Sequence, residues 1–355
     1  MRHFPAHDFQ LRTNLTGARE SAVCLKHVAA AWFLLSLFSA SALPQPRSAT
    51  FSFAAAGDHA QTDATVASLN KLATSGTAFY LALGDLSYAR GSVGKESDWC
   101  DFVKSKLAST YPFELLAGNH ERDGSRQGRI LNFAKCLPDK LNAKGLYGVE
   151  YYFDYLGLAR FILISPDLKI AGVSYDYLAG DPHYKWLSNR IDGARAAGIP
   201  WVIVGAHKMC LSVGGEPCEI SSDLIDLLIE KKVDLVLHAH DHVYERSKQL
   251  TCASAHVFVA DCVVDDGSDN EYAKGAGTVI VVDGTFGRAQ DDINLGDPQA
   301  DYFVGNFTGR NMNLTYGFMR YTVTPTRLTG QFVRSAGGTF SDEFKISAPD
   351  DPGDY

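Results

Sequence analysis

Five short segments carry the residues that could do chemistry. Asp58 follows Gly57. Asp85 follows Gly84, with Tyr88 three residues on. Asn119-His120-Glu121 follows Gly118, and His207 follows Gly205-Ala206. The last segment is His238-Ala239-His240-Asp241-His242. Asp, Asn, His and Tyr are hard to borderline donors suited to iron, zinc or manganese. A carboxylate has two oxygens and can bridge two cations. The glycines let the backbone turn sharply and come close to the ligands. Singly, each residue has a plainer reading. Asp58 or Asp85 could cap the next helix, Tyr88 could be a packed aromatic, and His207 could be a core histidine. His240 and His242 are stronger, because they share one face of an extended segment. The set together points to a metal site.

These residues need a frame that brings them together. Apolar runs at 50–56, 78–83, 113–117, 151–155, 160–164, 200–204, 233–237 and 278–282 read as strands, several of them buried on both faces. Helical spacing appears at 62–75, 98–108, 184–197 and 222–231, the last capped by Ser221 or Ser222. Strand–helix alternation argues for a layered α/β domain. Each of the five segments closes an apolar run, and in α/β sheets the carboxyl ends of the strands form the binding crevice. From 316 to 344 the pattern changes to antiparallel strands.

In order, the five motifs resemble those of the calcineurin-like metallophosphoesterases. The spacing of Asp85 and Tyr88 is similar to the purple acid phosphatase branch, as are Asn119-His120-Glu121 and Tyr244-Glu245-Arg246. The resemblance implies a four-layer α/β/β/α sandwich with mixed sheets and two metal ions. Asp58, Asp85, Tyr88 and His242 would bind the first ion; Asp85, Asn119, His207 and His240 would bind the second, with Asp85 bridging. Tyr88 as phenolate would favour Fe(III) in the first site, since a phenol titrates near ~10 in water. The second ion would be Fe(II), Zn or Mn. His120 would face the substrate phosphate and assist the leaving group. The implied reaction is attack of a metal-bound hydroxide on a phosphate monoester. The alternatives are a phosphodiesterase or nucleotide pyrophosphatase on the same site, or a secreted metal-binding protein without turnover.

The chain departs from the family at three places. Ala60 and Ala239 stand where the family has glycine. More seriously, the segment after His207 runs Lys208-Met209-Cys210-Leu211 and lacks the second substrate-facing histidine. Lys208 would take its place, or a Cys210–Cys218 loop would reshape the pocket. Other residues stay open. His59 stands where the family has other residues and is expected to contact the ligands or the substrate. His238 is expected to be buried and Asp241 to face solvent. Glu245 and Arg246 are expected to form an ion pair, and Arg122 and Asp123 either line the cleft or belong to an ordinary loop.

Composition bounds the rest. The chain has 355 residues and a formal charge of -8. Such an acidic surface disfavours nonspecific nucleic-acid binding, whereas bound metal would attract a small phosphorylated substrate. Residues 1–42 hold an apolar run ending in Ala40-Ser41-Ala42, which reads as a cleavable signal peptide and so as secretion, with no membrane anchor after cleavage. Residues 43–50 read as a linker, 51–346 as one catalytic domain with a β-rich end, and 347–355 as a disordered acidic tail. Six cysteines follow the leader and suggest disulfides. Proximity favours Cys210–Cys218 and Cys252–Cys262, leaving Cys100 with Cys136. Two sequons, at Asn306 and Asn313, fit a glycoprotein. No feature sets an oligomeric state.

Overall fold

Residues 51, 53 and 55 of the first strand point one way and 54 and 56 the other, yet all of them are buried. A strand in that position must lie between two apolar layers. The structure, a computed structural model describing residues 49–351 and Gly353, shows both. The expected leader over 1–42 lies outside the described residues.

The elements are β1 (Phe51–Ala56), α1 (Asp63–Ala73), β2 (Phe79–Ala82), α2 (Glu96–Lys104), β3 (Phe113–Leu115), α3 (Ile130–Cys136), β4 (Lys144–Leu146), β5 (Glu150–Tyr155), β6 (Ala159–Leu163), β7 (Leu168–Ile170), β8 (Val173–Tyr175) and α4 (Pro182–Ala196). There follow β9 (Trp201–Gly205), α5 (Ser222–Glu230), β10 (Leu235–His238), β11 (Tyr244–Arg246), β12 (Gln249–Leu250), β13 (Val263–Asp265), β14 (Glu271–Ala273), β15 (Val279–Asp283), β16 (Thr315–Val323), β17 (Arg327–Gly337) and β18 (Glu343–Ser347).

Two mixed sheets result, in the orders β14-β18-β17-β16-β1-β2-β3 and β11-β15-β10-β9-β6-β5-β4. The β1/β2/β3 and β6/β9/β10/β15 neighbours are parallel. Phe53, Phe79, Phe153, Phe161 and Trp201 fill the space between the sheets. On the outer faces Tyr80 and Ala82 meet Leu69 and Leu72 of α1, and Val204 and Val236 share a core with Leu224 and Leu228 of α5. The four-layer sandwich is thus present. The expected C-terminal strands are β16 to β18, and they complete the first sheet beside β1.

Local chemistry sets the helix starts. Thr62 caps α1 by accepting from the Thr65 N–H at 3.1 Å, and Ser221 caps α5 through the Asp223 N–H. Helix α3 has no side-chain cap, which is why the sequence gives it no start signal. The disulfides are Cys100–Cys136, Cys210–Cys218 and Cys252–Cys262, the pairing that proximity favours. After β18 the chain is tied back, since the Asp351 carboxylate accepts from Arg327 Nε at 2.8 Å and Thr326 Oγ1 at 3.0 Å.

Candidate metal centre

Both sets of parallel strands end at one edge, and the Gly57 N–H joins them by donating to the Asp283 carbonyl at 2.8 Å. Asp58, Asp85 and His207 bring ligand atoms within 4.8 Å of one another there, all buried. The turns are sharp. Asp58, Asp85, Tyr88 and His240 have φ of 62°, 52°, 53° and 76°, a region that costs energy for residues with a Cβ.

The cluster has two ends joined by Asp85. At one end Tyr88 Oη donates to Asp58 Oδ1 at 2.5 Å and lies 2.9 Å from His242 Nε2. At the other, His207 Nε2 is 3.3 Å from Asp85 Oδ1. The Asn119 amide is 3.0 Å from His207 Nε2, and 3.3 Å from His240 Nδ1 and from each Asp85 oxygen. His120 is not part of the inner group. Its ring is a quarter exposed, with Nε2 3.3 Å from Asp85 Oδ2, and it lies 4.4 Å from the Tyr88 ring.

The donor set fits metal. His207 Nδ1 donates to the Leu83 carbonyl at 2.8 Å, and His242 Nδ1 to the Ala289 carbonyl at 2.9 Å. A carbonyl only accepts, so each Nε2 presents a lone pair inward, the arrangement of metal-bound histidine. The Asn119 amide sits against the same His207 nitrogen and both Asp85 oxygens, and with its oxygen turned inward it adds a further donor. Acceptors facing one another are stabilised by a cation between them. In its absence protons substitute. Burial opposes charging His207, but Asp85 lifts it to about 9; Asp58 does the same to His242 against its burial, also to about 9. Burial raises Asp85 and Asp58, yet the neighbouring histidines hold both below the usual carboxylate range. Burial takes Tyr88 well above the ordinary phenol value, and Asp58 adds to it, so only a strong Lewis acid would ionise it.

Glu121 holds this geometry. Its carboxylate accepts the N–H groups of Asp85 at 3.0 Å, Leu86 at 2.8 Å and Gly118 at 2.9 Å, knotting the ends of β2 and β3. The glycines make room for the ligands: a Cβ on Gly118 would lie 2.0 Å from Asp85 Oδ1. A Cβ on Gly57 would lie 2.4 Å from that of Ala239, so the bare Gly57 is what admits the Ala239 methyl. Ala60, by contrast, keeps a left-handed φ of 57°.

Several expectations are corrected. His240 and His242 do not share a face of an extended strand. Strand β10 ends at His238, and the left-handed turn at His240, whose N–H donates to Asp58 Oδ2 at 3.0 Å, sends the two rings to opposite ends of the cluster. Asp241 is buried rather than solvent-facing, accepting the Glu216 N–H at 2.8 Å, and burial lifts it to about 6. Glu245 and Arg246 do not pair, because neighbours on a strand point to opposite faces. Glu245 accepts from Val213 N and Ser212 Oγ, while Arg246 Nε pairs with Asp342 at 2.7 Å. His59 turns away from the site to Tyr80 Oη at 2.9 Å, and His238 is buried, as expected. Asp123 is spent on the β7–β8 turn, accepting from Gly172 N at 2.8 Å. Lys208 is buried and held by Asp167 at 3.0 Å and by Glu219. Glu219 in turn lies 3.4 Å from His240 Nε2.

A mixed two-sheet sandwich with oxygen and imidazole donors at its strand ends defines a metallophosphoesterase fold. Residues 51–244 match the calcineurin-like phosphoesterase family, and the chain belongs to it. Its similarity is to purple acid phosphatases. It is 28% identical to purple acid phosphatase 21 of Arabidopsis thaliana, over 59% of this chain and 49% of that protein. It is 25% identical to probable inactive purple acid phosphatase 1 of the same plant, over 75% and 42%. It is 24% identical to a nucleotide pyrophosphatase/phosphodiesterase of Hordeum vulgare, over 74% and 70%. The chain spans about half the length of the two Arabidopsis proteins. Among solved structures, the purple acid phosphatase PPD1 of yellow lupin shares the fold with a TM-score of 0.65 at 20% identity, covering 84% of this chain and 54% of that one.

Proposed function

We propose that this chain is a secreted phosphomonoesterase that works at acid pH on small phosphorylated substrates, with Fe(III) held by Asp58, Asp85, Tyr88 and His242 and a second ion, Fe(II), Zn or Mn, held by Asp85, Asn119, His207 and His240. The observation that carries this is the two-ended cluster of inward lone pairs around the Asp85 carboxylate. Two bound cations would supply there the positive charge to hold a phosphate and to lower the pKa of a bound water. The protein's part is to hold the donors. Asp85 joins the two ends, Glu121 fixes its backbone, and carbonyls orient His207 and His242. His120, at the open side, would donate a proton to the leaving oxygen. The three disulfides support an oxidising compartment.

A second reading is a phosphodiesterase or nucleotide pyrophosphatase. The sequestered Lys208 and the Hordeum relative favour it. A visible spectrum with metal analysis on the same sample separates the two. A visible band lost in Tyr88→Phe, with one iron and one further metal per chain, supports the ferric monoesterase. A colourless protein with two zinc or manganese ions and faster diester than monoester turnover refutes it.

A further inference from the structure

A phosphate ester brings negative charge to this edge, and the side chains that could meet it are few. Lys208 stands at the position suited to the task but is buried, and its ammonium is held by Asp167 and Glu219. Its charge is already neutralised and it does not reach outward.

Arg288 is different. Its backbone is clamped on both sides to residues of the donor cluster. A Cβ on Gly287 would lie 2.1 Å from Thr65 Oγ1 and 2.7 Å from the His59 carbonyl. The Arg288 N–H donates to the Asp58 carbonyl at 2.8 Å, and the next carbonyl, of Ala289, accepts from His242 Nδ1 at 2.9 Å. This places the guanidinium carbon 4.6 Å from the centre of the Tyr88 ring. The same ring lies 4.4 Å from His120, and its hydroxyl meets Asp58 and His242. The side chain is exposed, and among the described residues it has no carboxylate partner. A rigid backbone thus holds an exposed, unneutralised planar cation against the Tyr88 ring, whose hydroxyl meets the cluster and whose ring also contacts His120.

We propose that Arg288 is a substrate-contacting residue, whose guanidinium grips two terminal oxygens of the bound phosphate in place of the sequestered Lys208. The inference rests on the phosphoesterase reading of the site. A guanidinium presents parallel N–H groups that match two phosphate oxygens, which an ammonium does not. It sits on the tyrosine face, where stacking orders it before substrate arrives.

The test uses the metal-loaded full chain and inorganic phosphate, measured by calorimetry and as a competitive inhibitor of ester hydrolysis. Loss of a charge-assisted contact predicts that Arg288→Ala weakens phosphate binding by about tenfold to a hundredfold. KM should rise by a similar factor, with kcat changing less, Arg288→Lys recovering part of the loss, and metal content unchanged. Phosphate binding within twofold of the parent overturns the proposal. So does a loss of metal that tracks the loss of phosphate binding, which would make Arg288 a brace for Tyr88. If Arg288→Ala does not fold, Arg288→Lys and Arg288→Gln carry the same comparison. Phosphate binding that depends on Arg288 in a protein without turnover sinks the hydrolytic reading and leaves this one standing.

Discussion

Glu121 offers the sharpest test of how the centre is held. Its two oxygens take three buried backbone N–H groups, two on Oε2 from Asp85 and Gly118 and one on Oε1 from Leu86. Glu121→Gln keeps one carbonyl oxygen. Turned toward Asp85 and Gly118, it still serves two donors and leaves the Leu86 N–H facing an NH2 group. Glu121→Leu fills the same space, admits no water and orphans all three. An unsatisfied buried N–H costs about 1–3 kcal/mol. The glutamine variant should therefore lose about 1–3 kcal/mol and the leucine variant at least about 3 kcal/mol, a large part of the roughly 5–15 kcal/mol that stabilises a domain. Because the Asp85 backbone is one of the donors, bound metal should fall in the same order. Urea unfolding of the metal-loaded proteins, with metal content on the same samples, measures both. Equal losses in the two variants, or a leucine variant that keeps its metal and loses less than about 1 kcal/mol, would refute the reasoning.

Three further outcomes are expected. Gly118→Ala should lose most of its bound metal while keeping its circular dichroism, since the new methyl would sit 2.0 Å from Asp85 Oδ1; full metal occupancy would show that the ligand has room to move. Glu114 has one oxygen without a partner, and burial pushes it up to about 8. The folded chain holds that proton longer than the unfolded chain, so stability should fall by up to about 1.4 kcal/mol per pH unit between the ordinary value of 4.5 and about 8. Glu114→Gln should flatten the slope. In chelated protein, His207 and His242 at about 9 are raised above the ordinary 6.5. Their contribution is therefore full below 6.5 and lost as pH climbs through 9. Melting curves with and without chelator should diverge over that window, because metal displaces those protons, and parallel curves would refute the proton–metal exchange.

Much of the frame was legible because strands buried on both faces read as unbroken apolar runs, and β1, β2, β6, β9, β10 and β15 all begin or end within two residues of the expected bounds. Asp58, Asp85 and His207, whose ligand atoms meet within 4.8 Å, were legible because each follows the end of such a run. What was not legible depends on distant chain returning. Asp241 reads as polar and exposed until the loop through Gly214 and Glu216 folds over it; a Cβ on Gly214 would touch Asp241 Oδ1 at 2.3 Å. Arg246 finds Asp342 nearly a hundred residues away, while its sequence neighbour Glu245 points elsewhere. Arg288 belongs to no motif and gains meaning only from the turns on either side of it.

The left-handed turns at Asp58, Asp85, Tyr88 and His240 bear on how such a chain ages under mutation. Each residue is chosen for its side chain against the preference of its backbone, at about 1–3 kcal/mol for a strained position. Asp58→Gly or Asp85→Gly would relax the turn and also remove a buried charge. That relief offsets part of what the carboxylates contribute, which includes the His240 N–H bond to Asp58, the His120 N–H bond to Asp85 and the pairing with His207 and His242. Once selection on turnover lapses, drift should yield chains that still fold and catalyse nothing, because the released strain softens the cost of losing the centre. In this architecture robust folding carries no information about whether the chemistry survives.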